Sequence, residues 1–158
     1  MTSDVGAALR VPAPPPALFF AFLAVGWIAD RLRPLALGLD TTGLRLAASS
    51  LCFVFGAALA VWALRTLRVN GASPEFGQPV RALTTSGPYR RTRNPLYVAL
   101  VLVFAGFALV LDNAYLAILA PVLVLSLDRL VIVREERFLF ALFGAEYAAY
   151  RQMVRRWL

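Results

Sequence analysis

The sequence predicts an all-α integral membrane protein with four transmembrane helices and a cytoplasmic C-terminal amphipathic helix. Hydrophobic residues make up 60% of the 158 residues and charged residues only 16%, whereas soluble domains average roughly 45–50% and about 25%. The apolar residues are concentrated in long uncharged stretches, and mean hydropathy is +0.70. A water-soluble fold of this length would leave much of that apolar surface exposed. We therefore treat residues 1–158 as a single membrane domain.

The four predicted spans cover residues 11–29, 46–64, 95–111 and 113–133. A helix of about 20 residues crosses a hydrocarbon core about 30 Å thick. The first three stretches contain no charged residue, and the fourth is long enough only if it continues through Asp128 and Arg129. Because only Asp112 and Asn113 stand at the junction of the last two spans, these spans are predicted to form a tight antiparallel hairpin.

The first stretch is interpreted as a spanning helix rather than a cleaved signal peptide. Its leading segment contains both Asp4 and Arg10, and the apolar run continues through Trp27 and Ile28, past any small-residue cleavage site. The connection that follows contains a second apolar run at 34–39. That run indicates either an exposed loop or a re-entrant or interfacial turn.

The distribution of arginine predicts the orientation in the membrane. All sixteen basic residues are arginine, and the formal net charge is +7. With four crossings, the side that holds both termini carries thirteen of them and the opposite side carries three. The positive-inside rule places the arginine-rich side in the cytoplasm. Together with the lysine-free composition, this predicts a protein of the bacterial inner membrane with both termini cytoplasmic.

Composition also excludes several function classes. The chain contains no histidine, which is the usual general base and the commonest zinc ligand, and its one cysteine is Cys52. We therefore predict a site without metal. The arginines flank apolar helices instead of alternating with aromatic residues on one soluble face, so nucleic acid is not expected as a partner.

The third span has a well-defined predicted start. Asn94 suits the N-cap position, and Pro95 suits the first helical position, where a missing N–H costs nothing. The free N–H groups and the positive end of the helix dipole would attract a carboxylate or a phosphate. The alternative is an ordinary capped helix for which Tyr89, Arg93 and Tyr97 are interfacial anchors.

The tail after the fourth span carries an apolar stripe at helical spacing. The stripe consists of Leu139, Phe143, Tyr147, Tyr150, Val154 and Trp157. Such a pattern predicts one amphipathic helix on the cytoplasmic face, packed on the helix bundle or the membrane surface. The adjacent acids Glu135 and Glu136 require a cationic partner, which is either Arg134 and Arg137 or a ligand.

Two sets of motifs lie on either side of the predicted hairpin. The first is the run 83–97, which ends Arg93-Asn94-Pro95-Leu96-Tyr97. The second is Glu135-Glu136 followed by Phe143-Gly144-x-Glu146-Tyr147-x-x-Tyr150 and Val154-x-Arg156. At this spacing the second half of the chain resembles the isoprenylcysteine carboxyl methyltransferase family and its phospholipid methyltransferase relatives. This resemblance implies a small membrane enzyme whose C-terminal helices and tail enclose S-adenosyl-L-methionine.

The resemblance also implies where the cofactor is held. Its region would be about 81–158, and the contacts carried over by position are Arg81, Ala82, Leu83, Thr84, Tyr89, Asn94, Pro95, Leu96, Tyr97 and Glu135. The family most often has histidine where this chain has Asn94, and the asparagine variant identifies it as a bacterial-type member. Ala99 and Arg155 also depart from the family pattern, which has glycine and proline there.

The acceptor side of the predicted site differs more from the family. The arginine that the family credits with substrate contact falls on Val131, so the resemblance implies that Arg129 or Arg134 replaces it. Methyl transfer is an in-line displacement that depends on alignment more than on a strong base. The acceptor therefore either loses its proton readily, as a carboxylic acid, thiol or phenol does, or relies on Glu136 as the base.

The resemblance thus implies methyl transfer from S-adenosyl-L-methionine to a lipophilic small-molecule or lipid acceptor that enters from the bilayer, and the residues agree with it. The helix start suits the cofactor carboxylate, the glutamates suit its cations, and the aromatic residues suit its adenine ring. One alternative is a four-helix exporter, which needs an ionisable residue within a span. The other is a non-catalytic membrane protein, for which the polar motifs are only caps and anchors.

Overall fold

The computed structural model describes residues 14–39, 41–71 and 82–158, and most of these are helical. The helices are α1 (Pro15–Leu32), α2 (Thr42–Val69), α3 (Pro95–Val110), α4 (Ala114–Leu127), α5 (Val133–Phe143) and α6 (Ala145–Met153). A 3₁₀ turn covers Gly87–Arg90, and a π-helical turn, Asp128–Ile132, joins α4 to α5. Within the described ranges, extended pairing is limited to an isolated bridge. The all-α fold class is confirmed.

Within the described parts of the chain, three helical segments are long and apolar enough to cross a membrane: Pro15–Leu32, Thr42–Val69 and Ala114–Phe143. Helix α3 coincides with the predicted third span, but its 16 residues correspond to about 24 Å, short of a core about 30 Å thick. Helix α2 extends past both ends of the predicted span 46–64, and the fourth segment continues ten residues beyond 133 because the π turn does not end the helix. A count of four spans stays a prediction.

Small residues bring α2 and α3 close together. A Cβ atom added at Gly56 would lie 3.1 Å from the backbone oxygen of Ala99, and one added at Gly106 would lie 2.9 Å from the ring of Phe53. The Ser49 hydroxyl, which is buried, donates to the Gly106 carbonyl at 3.0 Å. Helices α1 and α4 complete the bundle.

The predicted hairpin between α3 and α4 is confirmed. Asp112 takes the left-handed conformation at φ 52°, which reverses the chain within a few residues. The Asn113 side chain caps α4 by accepting from the Leu116 N–H at 3.0 Å, and its amide donates to the Gly26 carbonyl of α1 at 3.0 Å. One asparagine therefore ties the hairpin to α1.

The connection after α1 lies across this hairpin turn. The Ala114 N–H donates to the Leu35 carbonyl at 2.9 Å, and the Leu37 N–H donates to Asp112 at 3.1 Å. Asp112 also forms an ion pair with Arg45 at the start of α2. Because of these bonds, residues 34–39 are held against the hairpin turn.

The tail differs from the single helix that the stripe predicts. Gly144 takes φ 50°, which ends α5, and α6 starts directly after it and ends at Met153. Val154 is extended, so Trp157 does not continue the helical stripe. Glycine adopts positive φ at little cost, and the apolar spacing continues across the break without revealing it.

Candidate functional site

The end of the chain lies along the segment that leads into α3. Thr92 and Arg155 form a parallel bridge, and the Arg93 N–H donates to the Arg155 carbonyl at 2.9 Å. The Thr92 hydroxyl and the Asn94 amide both donate to the Arg156 carbonyl, at 3.1 and 2.9 Å. The two polar segments that the motifs single out are therefore in direct contact.

Asn94 has the predicted position but not the predicted contact. It stands at the N-cap with Pro95 as the first helical residue, yet its side chain makes no capping hydrogen bond. The Asn94 side-chain amide instead donates to the Arg156 carbonyl, and the Asn94 backbone N–H donates to the Thr92 hydroxyl at 3.1 Å. The expectation of an N-cap oxygen from Asn94 is wrong, because the tail recruits that side chain.

Tyr97 and Glu135 meet although they stand 38 residues apart. The Tyr97 hydroxyl donates to a Glu135 oxygen at 2.8 Å, and Tyr97 is buried. Tyr97 lies in the first turn of α3, and Glu135 lies in the first turn of α5. The hairpin returns the chain to the end of the bundle where α3 begins, and this places a carboxylate beside the α3 N-terminus.

Glu136, the next residue, has two arginine partners. Arg156 donates to both of its oxygens, from Nε at 3.0 Å and from Nη2 at 2.7 Å. Arg93 lies 3.2 Å from the first of these oxygens. The Glu136 side chain is only 8% exposed and that of Arg93 only 10%. Both oxygens of this buried carboxylate are therefore engaged by guanidinium groups, and the contact with Arg156 is bidentate and charge-assisted.

Arg156 also bridges to the π turn. Its Nη1 atom lies 3.2 and 3.3 Å from the two oxygens of Asp128, and the Trp157 indole N–H donates to the same carboxylate at 3.2 Å. The hydrogen bonds to Glu136 raise the pKa of the Arg156 guanidinium further above its usual range. Asp128 and Glu136 therefore bind two side chains of the tail, Arg156 and Trp157. These contacts hold the end of the chain against the π turn and α5.

Buried phenols cover the other side of the α3 entrance. The Tyr150 hydroxyl donates to the Tyr89 carbonyl at 2.7 Å. Burial raises the pKa of Tyr147 to about 12 and raises the pKa values of Tyr89 and Tyr150 above their usual range. Leu83 packs on this aromatic cluster. These tyrosines remain neutral and supply ring faces and hydroxyl groups rather than charge.

Some buried polar atoms near the α3 entrance have no hydrogen-bond partner among the residues that the structure describes. They are the Thr84 hydroxyl and two nitrogens of Arg93, Nε and Nη1. A buried donor or acceptor without a hydrogen bond costs about 1–3 kcal/mol. Such atoms are therefore typical of places where a ligand supplies the missing partner.

The other predicted site residues are placed as follows. Ala82 and Leu96 are half-buried, and Arg81 lies outside the described residues. Among the acceptor candidates, Arg134 is half-buried next to Glu135, whereas the Arg129 side chain is 78% exposed and lies 3.7 Å from Asp128.

The position where the family has its substrate arginine faces inward. Val131 is fully buried in the hydrophobic core with Leu127 and Ile132, so no polar group is available there. In the part of the chain that the structure describes, no group of three or more Cys, Asp or Glu side chains is arranged to hold a metal ion.

Sequence reasoning missed three residues of this site: Arg93, Asp128 and Trp157. Arg93 was interpreted as an interfacial anchor and Asp128 as part of a span. A usable signal was present for Arg93, which directly precedes the Asn-Pro helix start and therefore shares its end of the bundle with the tail. The sequence held no such signal for Trp157, because the position of this residue depends on the extended chain after α6.

The fold and this cluster together define an integral membrane protein with a polar site at one end of its helices. The sequence pattern of the phospholipid methyltransferase family matches residues 44–146, well over half of the chain. The chain belongs to this family, and the resemblance noted in the sequence is confirmed. It is a membrane methyltransferase.

One relative is short. An uncharacterized protein of Haemophilus influenzae is 36% identical over 63 residues, which are 40% of this chain and the whole of that protein. No solved structure is significantly similar to the chain.

Proposed function

We propose that this protein transfers a methyl group from S-adenosyl-L-methionine to a lipophilic small-molecule or lipid acceptor that enters from the bilayer. The observation that carries the proposal is the Tyr97–Glu135 hydrogen bond of 2.8 Å beside the α3 N-terminus. It brings an anionic group and the positive end of a helix to the same place. A zwitterionic ligand that also carries a sulfonium requires such a pair.

The unpartnered groups fit the chemistry of this cofactor. S-adenosyl-L-methionine supplies an electrophilic methyl group on a positively charged sulfur. The Glu135 carboxylate, oriented by Tyr97, would attract its cationic groups, and the two unpartnered Arg93 nitrogens would donate to its carboxylate. Thr84 would offer a further hydroxyl, and Tyr89 a ring face for the adenine.

The contacts of Glu136 favour one of the two acceptor classes. Its oxygens accept from Arg93 and Arg156, so both are already engaged by guanidinium groups of the fold. An acceptor that loses its own proton, such as a carboxylic acid, thiol or phenol, requires no base. We place Glu136 in a positioning role and keep its role as the base as the alternative.

Arg134 and Arg129 remain the candidates for holding the acceptor head group. Arg129 lies in the π turn and Arg134 lies in the first turn of α5, and a guanidinium can fork onto a carboxylate or phenolate without losing its charge. Arg129→Ala and Arg134→Ala, assayed with lipid, phenolic and thiol acceptors, should lower turnover and leave cofactor affinity unchanged. Normal turnover in both would place the head group elsewhere.

The site would face the cytoplasm of a bacterial cell, on the arginine-rich side of its inner membrane. This location follows from the distribution of arginine and the positive-inside rule. Cytoplasmic cofactor would then reach the polar end of the helices while the acceptor enters laterally.

Cofactor titration tests the proposal directly. The detergent-solubilised protein should bind S-adenosyl-L-methionine and its demethylated product saturably. Glu135→Gln and Tyr97→Ala should each weaken binding about tenfold or more, since a hydrogen bond to a charged group contributes about 1.5–3 kcal/mol. Glu146→Gln, at an exposed position of α6, removes the same charge from a glutamate outside the proposed site and is the matched control.

The outcomes separate the alternatives. Equal affinity in Glu135→Gln, Tyr97→Ala and Glu146→Gln would show that the predicted contacts are structural. Binding of neither cofactor nor product by the unmodified chain would favour a non-catalytic membrane protein.

A further inference from the structure

An open cavity of about 430 Å³ lies between α5, α6 and the end of the tail. Its lining is Val133, Glu136, Arg137, Phe140, Arg151 and Arg156. Three of these six side chains are cationic and one is anionic. The cavity therefore combines an excess of positive charge with apolar walls.

Two of the three guanidinium groups at the cavity form no ion pair with the described residues. Glu136 already has Arg93 and Arg156 as partners, and Arg156 also contacts Asp128. Arg137 and Arg151 are exposed, and neither makes an ion pair or hydrogen bond with the described residues. Two guanidinium groups on different helices are thus available to one anion at the cavity.

The apolar part of the cavity lies on the same face of α5. Val133, Arg137 and Phe140 are spaced by four and three residues, so they line one side of the helix. Phe140 is 49% exposed beside the arginines. This helix is the end of the apolar segment Ala114–Phe143, where a spanning helix leaves the hydrocarbon and meets the head groups. The phenylalanine ring adds nothing to the binding of a soluble anion, whereas it can pack against the acyl chain of a lipid.

We propose that this cavity binds the phosphate of an anionic membrane phospholipid, with Arg137 and Arg151 on the phosphate and Phe140 against the adjoining chain. Its two phosphate-binding residues, Arg137 and Arg151, are not among the proposed cofactor contacts, and the Glu135 side chain points roughly 100° away from Glu136 around the helix. The cavity holds a lipid next to Glu136 and Arg156 without requiring that this lipid be methylated. The inference is independent of the proposed cofactor.

Binding of a short-chain phosphatidylglycerol to the detergent-solubilised protein tests this site. Titration calorimetry should show saturable binding that phosphatidylcholine of the same chain length does not reproduce. Arg137→Gln/Arg151→Gln should weaken it about tenfold or more, because each cation near a lipid surface adds appreciably to anionic-lipid binding. The matched control is Arg65→Gln/Arg68→Gln, which removes two exposed charges at the end of α2 and should change affinity less than about twofold.

Further variants identify the ligand class. Phe140→Ala should weaken binding of the phospholipid and leave binding of inorganic phosphate unchanged. The proposal is overturned if both arginine pairs weaken binding equally, if phosphatidylcholine binds as tightly as phosphatidylglycerol, or if inorganic phosphate alone binds as tightly as the lipid. Cofactor titration of the same samples is a separate measurement, so failure of one proposal does not affect the other.

Discussion

Replacing Glu136 by glutamine should lower the stability of the protein substantially. The carboxylate neutralises Arg93, whose side chain is 10% exposed, and its own side chain is 8% exposed. Removing one partner of a buried ion pair costs about 3–5 kcal/mol. Arg156 is 32% exposed and retains its ion pair with Asp128, so water and Asp128 compensate part of its lost interaction with Glu136. We therefore expect about 3 kcal/mol, which for a chain of this length lowers Tm by roughly 6–12 °C.

The measurement is thermal unfolding in detergent, followed by circular dichroism at a helical band. Arg129→Gln is the control, because its side chain is 78% exposed and lies 3.7 Å from its acid, so its loss should cost less than about 0.5 kcal/mol. Arg93→Met combined with Glu136→Leu should recover most of the stability, since it removes both buried charges. If Glu136→Gln melts at the same temperature as Arg129→Gln, the assignment of a structural ion pair is wrong.

Further expectations concern topology, packing and pH. Tags at the two ends should show the same protection in sealed vesicles, and opposite protection would contradict the four-span prediction. Gly56→Leu should cost about 1–3 kcal/mol in thermal unfolding because a side chain there meets α3, whereas Gly43→Ala, which meets nothing within 4 Å, should be neutral or stabilising. The hydrogen bond from Arg45 lowers the pKa of Asp112 below its usual 3.8, so the ion pair should stabilise the fold above that pH. This contribution should be lost on further acidification, and Asp112→Asn should remove the dependence.

The starts of α3 and α4 and the hairpin between them were predictable because their causes are local. Asn113 caps α4 through its own side chain, and Pro95 fixes the first turn of α3, so a few neighbouring residues determine each. Helix ends were less predictable. A π turn carries α4 into α5 without interruption, and Gly144 stops α5 within an unbroken apolar spacing. At the π turn and at Gly144 the backbone departs from the α-helical conformation, but the spacing of apolar residues continues unchanged, so the hydrophobic pattern does not reveal either site.

The contacts of the site depend on long-range packing. The motifs indicated correctly that Tyr97 and Glu135 belong to the same end of the bundle, because the hairpin returns the chain there. No local pattern showed that the Arg156 carbonyl would take the Asn94 amide. That bond requires the extended segment after Val154, which exists only because α6 ends at Met153.

The adjacent acids show why the order of residues alone does not assign roles in a helical site. Successive residues of an α-helix point about 100° apart, so Glu135 faces α3 and Tyr97, while Glu136 faces the tail and its arginines. The Glu135 carboxylate accepts from the neutral phenol of Tyr97 and can attract a cationic ligand. The other is saturated by two guanidinium groups and fixes the tail. The same tail covers the α3 entrance. By fixing the tail, Glu136 therefore shapes the site where Glu135 would contact the cofactor. A variant at Glu136 should therefore also weaken cofactor binding through displacement of the tail.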